Sequence, residues 1–439
     1  MAIQIPTDEH AQARAVSERK RRWSLPVPAP GPVVGSLASA AVGQVTLVVT
    51  GVVAARTLGP ADRGYLALVI LVPAVLHGVG ALGLPRAVTY FIANDPAHET
   101  SVVRAIRAPA MVQAVVLTAL QAGILAVILA DEPARVKWAG LAVMPLLAAN
   151  LADMYGKAIL QGERRYAAFN ILRNAGLSFY LVGMLLLVAV GKTGLVEFAI
   201  AYVVATVLSA IVTLFVVVIR SSPEPTPVDV SRRRLFRFGL RGYLVGLSPG
   251  TLRLDQALIG LLLAPQALGL YVVGLAFANL PTFISRSIGF VAFPQVAGAT
   301  TAREDEMRRF LWLSLALSGV AVLTLEIGAG WLVPLFFGPE FDGAVILTRI
   351  LLVGAFFEGA RQILANTSSG SGRPGIGSVA ELASWLVLIP ALAALMPLWN
   401  ANGVAAATTI ASAMSFLVLV ALVRSSGDPS PQRATGHEV

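Results

Sequence analysis

From end to end the chain alternates long apolar runs with short breaks marked by charges, Gly or Pro. A helix that crosses a bilayer takes roughly 20 apolar residues, and the runs have that length. They predict spans at approximately 33–55, 64–93, 108–130, 138–161, 174–191, 195–219, 236–264, 270–297, 310–336, 344–366, 376–397 and 403–423, twelve in all. The longest polar interruption, RSSPEPTPVDVSRRRLFRFGLR at 220–241, follows the sixth span and splits the set into six and six. The expected organisation is a tail at 1–32, an N-lobe at 33–219, a linker at 220–235, a C-lobe at 236–423 and a second tail at 424–439.

Composition turns a helical pattern into a membrane-embedded one. Of 439 residues, 56% are hydrophobic and 13% charged, whereas soluble globular proteins carry about 25% charged residues. An ordinary soluble enzyme is excluded, so any function has to be carried out within the bilayer. Cys is absent, which removes disulfides, thiolate nucleophiles and cysteine metal sites. The first 23 residues hold no apolar signal-peptide core, so the N-terminus is expected to stay on the cytoplasmic side. SLPVPAPGP, which follows, reads as a stiff lead-in to the first span.

The formal net charge is +9. In a soluble domain that would suggest nucleic acid; here its placement explains it. The tails and even-numbered loops hold 22 of the 33 Lys and Arg, and the odd-numbered loops hold 5. Lys and Arg stay cytoplasmic in short loops, so both termini are expected in the cytoplasm of a multi-pass protein of the inner (cytoplasmic) membrane. The basic excess is then a topology signal, and no nucleic-acid partner is expected.

The halves repeat. LGPADRGY at 58–65 lies over LAPQALGLY at 263–271, with Leu58, Pro60 and Gly64 matching Leu263, Pro265 and Gly269 at an offset of 205. Pro73 and Pro85 fall against Pro281 and Pro294 at offsets of 208 and 209. Six spans separate the copies, so both halves enter the membrane from one side, a parallel repeat with its axis along the membrane normal. A cleft between two such lobes is the expected route for a substrate.

Three stretches carry a family resemblance: AARTLGPADRGYLALVILVPAVLHGVGALGLP, QGERRYAAFNILRNAG and RLDQALIGLLLAPQALGLYVVGLAFANLP. They resemble the polysaccharide-transporter branch of the multidrug/oligosaccharidyl-lipid/polysaccharide exporter superfamily, over about residues 33–423. The resemblance implies two six-helix bundles around a central cavity, and flipping of polyprenyl-diphosphate-linked oligosaccharides by alternating access. Its motifs are helix-boundary patterns and speak for fold more than for cargo.

An anionic diphosphate and a polar headgroup lose their hydration in hydrocarbon, so a cavity that moves them needs cations, hydroxyls and amides. Ionisable residues inside the spans are the candidates. In YLVGLSPGTLRLDQALIG, Pro249 and Gly250 should break span seven just before Arg253 and Asp255. Residues two apart do not face each other on a helix, so these two are not an ordinary intrahelical pair. Arg253 is a candidate substrate contact, or half of an interhelical ion pair. Asp255 is a candidate coupling carboxylate. Arg286, flanked by Ser285 and Ser287, suits a phosphate by the fork of its guanidinium. His77 overlies Arg286 at the offset of 209, and is a substrate contact or a hydrogen-bonded core residue. Arg86 either meets the diphosphate or anchors its helix, and Gln44, Thr46 and Thr50 form a polar stripe that is substrate contact or interhelical glue.

Three further acids complete the set. Glu326 has no helical neighbour of opposite sign, so it is protonated, paired across helices or part of ion coupling. Glu358, also a coupling candidate, lies i,i+3 from Arg361, and Asp153 lies i,i+4 from Lys157; both spacings favour structural pairs. No GxxxxGK[ST] loop and no HExxH cluster occur, so catalytic residues, cofactor and metal are not expected. TSSGSGRPGIG at 367–377 reads as a connecting or gating loop.

Together these features lead to the expectation of an all-α integral membrane flippase, not an enzyme. Its partners are a lipid-linked oligosaccharide, membrane lipids and a coupling proton or cation. The rivals are a multidrug/cation antiporter of the same superfamily, a flippase for the peptidoglycan lipid precursor, and a membrane-embedded glycosyltransferase or ligase. The first needs a carboxylate-lined cavity, and the last a large extramembrane loop.

Overall fold

The computed structural model describes residues 30–94, 99–219, 230–244, 253–298, 303–370 and 375–425. Among them the protein is helical, with one 3-10 turn at Pro339–Phe341 and no strand. The helices are α1 Pro30–Gly80, α2 Leu84–Asn94, α3 Glu99–Ile128, α4 Ala134–Ala142, α5 Leu146–Gly162, α6 Tyr166–Leu172, α7 Ala175–Ala189, α8 Leu195–Val218, α9 Arg232–Leu244, α10 Leu254–Leu262, α11 Pro265–Gly298, α12 Arg303–Phe337, α13 Ala344–Gly370 and α14 Gly375–Ser425. Each of the twelve expected segments carries helix. This is a multi-pass membrane protein of two six-helix lobes.

Among the described residues seven helices are long and apolar enough to cross a membrane, and two of them, Ala38–Gly80 and Val379–Ser425, run 43 and 47 residues. At a rise of 1.5 Å per residue either is roughly twice the hydrocarbon thickness, so each supplies two spans. In α1 the limbs part at Gly59, whose φ of 70° breaks the helix just before Pro60. In α14 they part at Asn400, with φ 50°. There the chain folds back so tightly that a Cβ on Gly403 would overlap the Leu395 carbonyl.

Some segments are interrupted where one helix was expected. Span two pauses in a turn at 81–83, where Leu82 (φ 49°) and Gly83 (φ 67°) are both left-handed, before α2 resumes. Span four is divided between α4 and α5 at 143–145, ending on Pro145, which has no N–H to extend the ladder. TSSGSGRPGIG is mostly helical, since α13 runs to Gly370 and α14 begins at Gly375; residues 371–374 lie outside the described residues.

Span seven differs most. Of the expected continuous stretch 236–264, the described residues form the end of the amphipathic α9 and the nine-residue α10, with a left-handed Arg253 just before the latter. The break expected at Pro249 and Gly250 lies outside the described residues. Arg232, Arg233, Arg234 and Arg237 of α9 are exposed, and guanidinium groups at that density are too costly to bury in hydrocarbon. The helix lies against the N-lobe, with Gly239 close to the Gly83 backbone and the Phe238 ring stacked on Tyr90 at 4.3 Å.

The cores tell how the lobes meet. Ala54, Leu66, Val69 and Val72 of α1 share one cluster with Ile259 of α10 and Leu268, Tyr271 and Ala278 of α11. That cluster also takes in Leu129, Phe198, Leu347 and Val404, all beside odd-numbered loops. Ala55 joins Val273, Phe277 and Phe337 in a second cluster between the lobes. At the even-loop end, Leu84, Phe91, Leu160 and Leu235 form an N-lobe cluster, while Ala292 with Phe310, and Leu364 with Ala380 and Leu419, form separate C-lobe ones. Among the described residues the lobes share a core at one end only. Outward-facing apolar side chains such as Ile327, 85% exposed, suit a lipid surround.

Candidate functional site: a cationic gap between the lobes

Arg253 heads α10 in the left-handed conformation, φ 48° and ψ 42°. For a residue with a Cβ this is uncommon, and strained backbone of this kind collects at functional positions. Its side chain is exposed and has no hydrogen bond or ion pair among the described residues. Its charge nonetheless reaches His77 of α1 and Tyr202 of α8 across the lobes, and Asp255 beside it, so a C-lobe guanidinium lies within electrostatic range of an N-lobe imidazole and phenol. The Nε2 of His77 is buried without a partner. Such an atom is costly to leave unmatched, and a hydrogen-bonding ligand would relieve it.

Asp255 has a hydrogen-bonding partner on a neighbouring helix. Its Oδ2 accepts a 2.7 Å hydrogen bond from the hydroxyl of Tyr271, a fully buried residue of α11. Asp255 thus has a protein partner besides the nearby Arg253 charge, whereas the Arg253 guanidinium has no hydrogen bond among the described residues. Asp153, which also acts on His77, pairs with Lys157 and accepts hydrogen bonds at Oδ1 from Thr213 (2.8 Å) and Ser209 (3.2 Å). Its acceptor sites are occupied by its own lobe.

Arg286 on α11 is exposed and, among the described residues, has no hydrogen bond or ion pair. Ser285 points into the C-lobe, bonding to Ser318 at 2.9 Å and Ser314 at 3.1 Å. The next residue lies about 100° further round the helix, which turns Arg286 outward. Arg86 is exposed on α2, and Gln44 on the first limb of α1 has a buried, unpartnered Nε2. Thr46 and Thr50 bond back to the carbonyls of Val42 and Thr46 on their own helix, so they bind neither a ligand nor a neighbouring helix through those protons.

Two candidate acids have surroundings wider than the sequence named. Glu326 sits across from Arg349 of α13, with one carboxylate oxygen buried and unpartnered. Glu358 is held by Arg361 in a fork of 2.8 Å and 2.7 Å, with Gln362 at 3.0 Å. The same guanidinium reaches Glu381 on α14 at 2.8 Å. One cation between two carboxylates leaves this group an excess negative charge, which a proton or small cation can neutralise.

Sequence reasoning missed Glu381, and it missed Arg56. Arg56 donates from Nε to the Phe336 carbonyl at 2.7 Å and from its terminal nitrogen to the Leu335 carbonyl. These are orphan carbonyls at the C-terminal end of α12, so a cation from α1 caps a helix of the other lobe. Neither contact has a periodic signature, because both join helices far apart in the chain.

A family model described as polysaccharide biosynthesis protein matches residues 53–346. No curated protein sequence matches. Solved structures match over nearly the whole chain. The lipid II flippase MurJ in an inward closed conformation superposes with a TM-score of 0.69 at 14% identity, covering 90% of this chain and 88% of that one. An inward-facing multidrug resistance MATE transporter of the MOP superfamily gives 0.69 at 15% identity, covering 90% and 98%. A MOP superfamily transporter from Pyrococcus furiosus, described by a binding pocket of reverse polarity, gives 0.61 at 14% identity, covering 90% and 94%.

Proposed function

The chain belongs to the polysaccharide biosynthesis protein family, and on that premise we propose that it flips a polyprenyl-diphosphate-linked oligosaccharide across the cytoplasmic membrane by alternating access. The observation that carries this reading is Arg253: a guanidinium with no hydrogen bond or ion pair among the described residues, its charge reaching His77 and Tyr202 of the other lobe, where the described lobes share a core at one end only. With both tails in the cytoplasm, as the Lys and Arg bias requires, the closed end is the outer one. The gap then opens inward.

In the proposed cycle the headgroup enters from the cytoplasm while its polyprenyl tail stays in lipid. Arg253 and Arg286 bind the diphosphate, because a guanidinium fork matches phosphate oxygens. His77, Gln44 and Tyr202 replace water on the polar headgroup, and Arg86 meets the anion nearer the entrance. Rocking of the lobes then breaks the outer contact and closes the inner gap. No bond in the cargo is made or broken. Asp255, Glu326 and the Glu358–Arg361–Glu381 group are the sites through which a proton or cation gradient drives the return.

A cation antiporter needs acids facing the gap. Here Asp255 and Glu358 are engaged by Tyr271 and Arg361, the Arg349 charge acts on Glu326, and Arg253 and Arg286 are exposed. A peptidoglycan precursor carries the same diphosphate, so competition between the two lipids, not charge, separates those cargoes. The test is translocation in proteoliposomes, read as exposure of the sugar to an added glycosidase. The protein is expected to move the lipid-linked oligosaccharide, and Arg253→Ala to lower the rate at least about tenfold, the loss of one charge-assisted phosphate contact. Export of a cationic dye with no movement of the lipid would assign the antiporter instead.

A further inference from the structure

A second cationic feature involves neither Arg253 nor Arg286. α9 packs on α2, and between them is a cavity of about 810 Å³ lined by Tyr90, Phe91, Ser231, Arg233, Arg234, Arg237 and Phe238. Among the described residues three arginines and no carboxylate line it. Arg233 and Arg237 are four residues apart on one helix, where like charges repel. Arg234 lies over the Phe91 ring at 5.3 Å from its centroid. Phe238 stacks on Tyr90 at 4.3 Å and meets Phe91 edge-on at 5.6 Å, so the wall beneath the charges is a rigid aromatic cluster.

Three guanidinium groups lining one cavity, with no acid among the described residues beside them, call for an anion. The surroundings say which kind. Phe236, Phe238 and Leu240 of the same helix, and Tyr90 beside it, are large apolar side chains left exposed next to the arginines. A short helix with exposed arginines and exposed aromatic or aliphatic groups lies in the headgroup region, its apolar face among acyl chains. A soluble anion would use the arginines and leave the apolar groups in water; a phospholipid uses both.

We propose that this cavity is a binding site for an anionic phospholipid of the surrounding bilayer, its phosphate held by Arg233, Arg234 and Arg237 and its chains lying along Phe236 and Leu240. The bound lipid holds α9 on α2. The site uses neither Arg253 nor Arg286 and does not depend on the identity of the cargo.

The experiment uses the full chain in nanodiscs of phosphatidylcholine doped with phosphatidylglycerol, with retained lipids counted by native mass spectrometry. The wild-type protein is expected to retain phosphatidylglycerol over phosphatidylcholine. In Arg233→Gln/Arg234→Gln/Arg237→Gln that preference should fall by on the order of 100-fold, since each basic residue at a membrane surface is worth about fivefold. The residues are exposed, so the variant should fold; an unchanged thermal transition checks this, and a triple Arg→Lys variant should recover much of the preference because it keeps the charge. Equal retention of phosphatidylglycerol by the wild type and the Gln variant overturns the proposal. So does displacement of the lipid by inorganic phosphate, which would mean a soluble-anion site, or by polyprenyl diphosphate, which would make the cavity a cargo site.

Discussion

Gly64 packs against the backbone carbonyl of Pro265, and its repeat partner Gly269 packs in the same way against the carbonyl of Pro60. The two copies of the Pro-x-x-x-Gly pattern thus meet face to face, and each glycine leaves room for the other copy's proline carbonyl. A Cβ at either position would overlap that oxygen. Both glycines are buried. A parallel repeat with this reciprocal contact places the pseudo-two-fold axis through the closed end of the molecule.

A bulky residue at either glycine should therefore pry that end apart. Gly64→Val and Gly269→Val are each expected to destabilise the closed arrangement by at least about 1–3 kcal/mol, the usual penalty for overpacking. The natural chain has no Cys, so a single Cys placed near this contact can be labelled cleanly. Its labelling should rise in both variants, and to a similar extent. Unchanged labelling in both would mean that the lobes do not separate here.

Arg56 supplies a lighter latch at the same end. Arg56→Gln removes donors from the Phe336 and Leu335 carbonyls. Because the site is exposed, the expected loss is about 0.5–1.5 kcal/mol. It should appear as a smaller rise in the same labelling, with little change in overall thermal stability.

Removing Arg361 should harm the fold far more than removing either acid it holds. Arg361→Gln leaves Glu358 and Glu381 facing one another without a cation, a change expected to lower stability by about 3–5 kcal/mol. Adding Glu358→Gln and Glu381→Gln to that variant should restore much of the loss. Thermal unfolding in detergent reads both. If Arg361→Gln unfolds at the wild-type temperature, the group is not the structural anchor described.

Tyr271→Phe tests the burial of Asp255. The substitution deletes the one hydroxyl that reaches Oδ2 and keeps the ring. It should destabilise by about 1–3 kcal/mol, the penalty for an unmatched buried acceptor, whereas Tyr271→Phe together with Asp255→Asn should be milder. Equal losses in the two variants would show that the hydrogen bond contributes little.

The sequence made some of this legible and hid the rest for physical reasons. The twelve helical segments follow from apolar run length, which the bilayer imposes directly. Glu358–Arg361 and Asp153–Lys157 were readable because helical spacing puts them side by side. Glu381, in contrast, lies on another helix, and nothing in its neighbours predicts that it shares Arg361. The reciprocal glycine contact was half visible: the repeat was plain, but not that its copies touch. In RRRLFRFGLR the arginines read as a topology signal, and the interleaved Leu235, Phe236, Phe238 and Leu240, which mark an amphipathic surface helix, were absorbed into a span.

The central claim is that Arg253 and Arg286 receive an anionic lipid-linked sugar in the gap. The most direct measurement is the sidedness of lipid-linked oligosaccharides in cells lacking the gene and complemented with variants. The account predicts accumulation on the inner leaflet, cleared by the wild-type protein but not by Arg253→Ala or Arg286→Ala expressed at the same level. Full clearance by both alanine variants would contradict it.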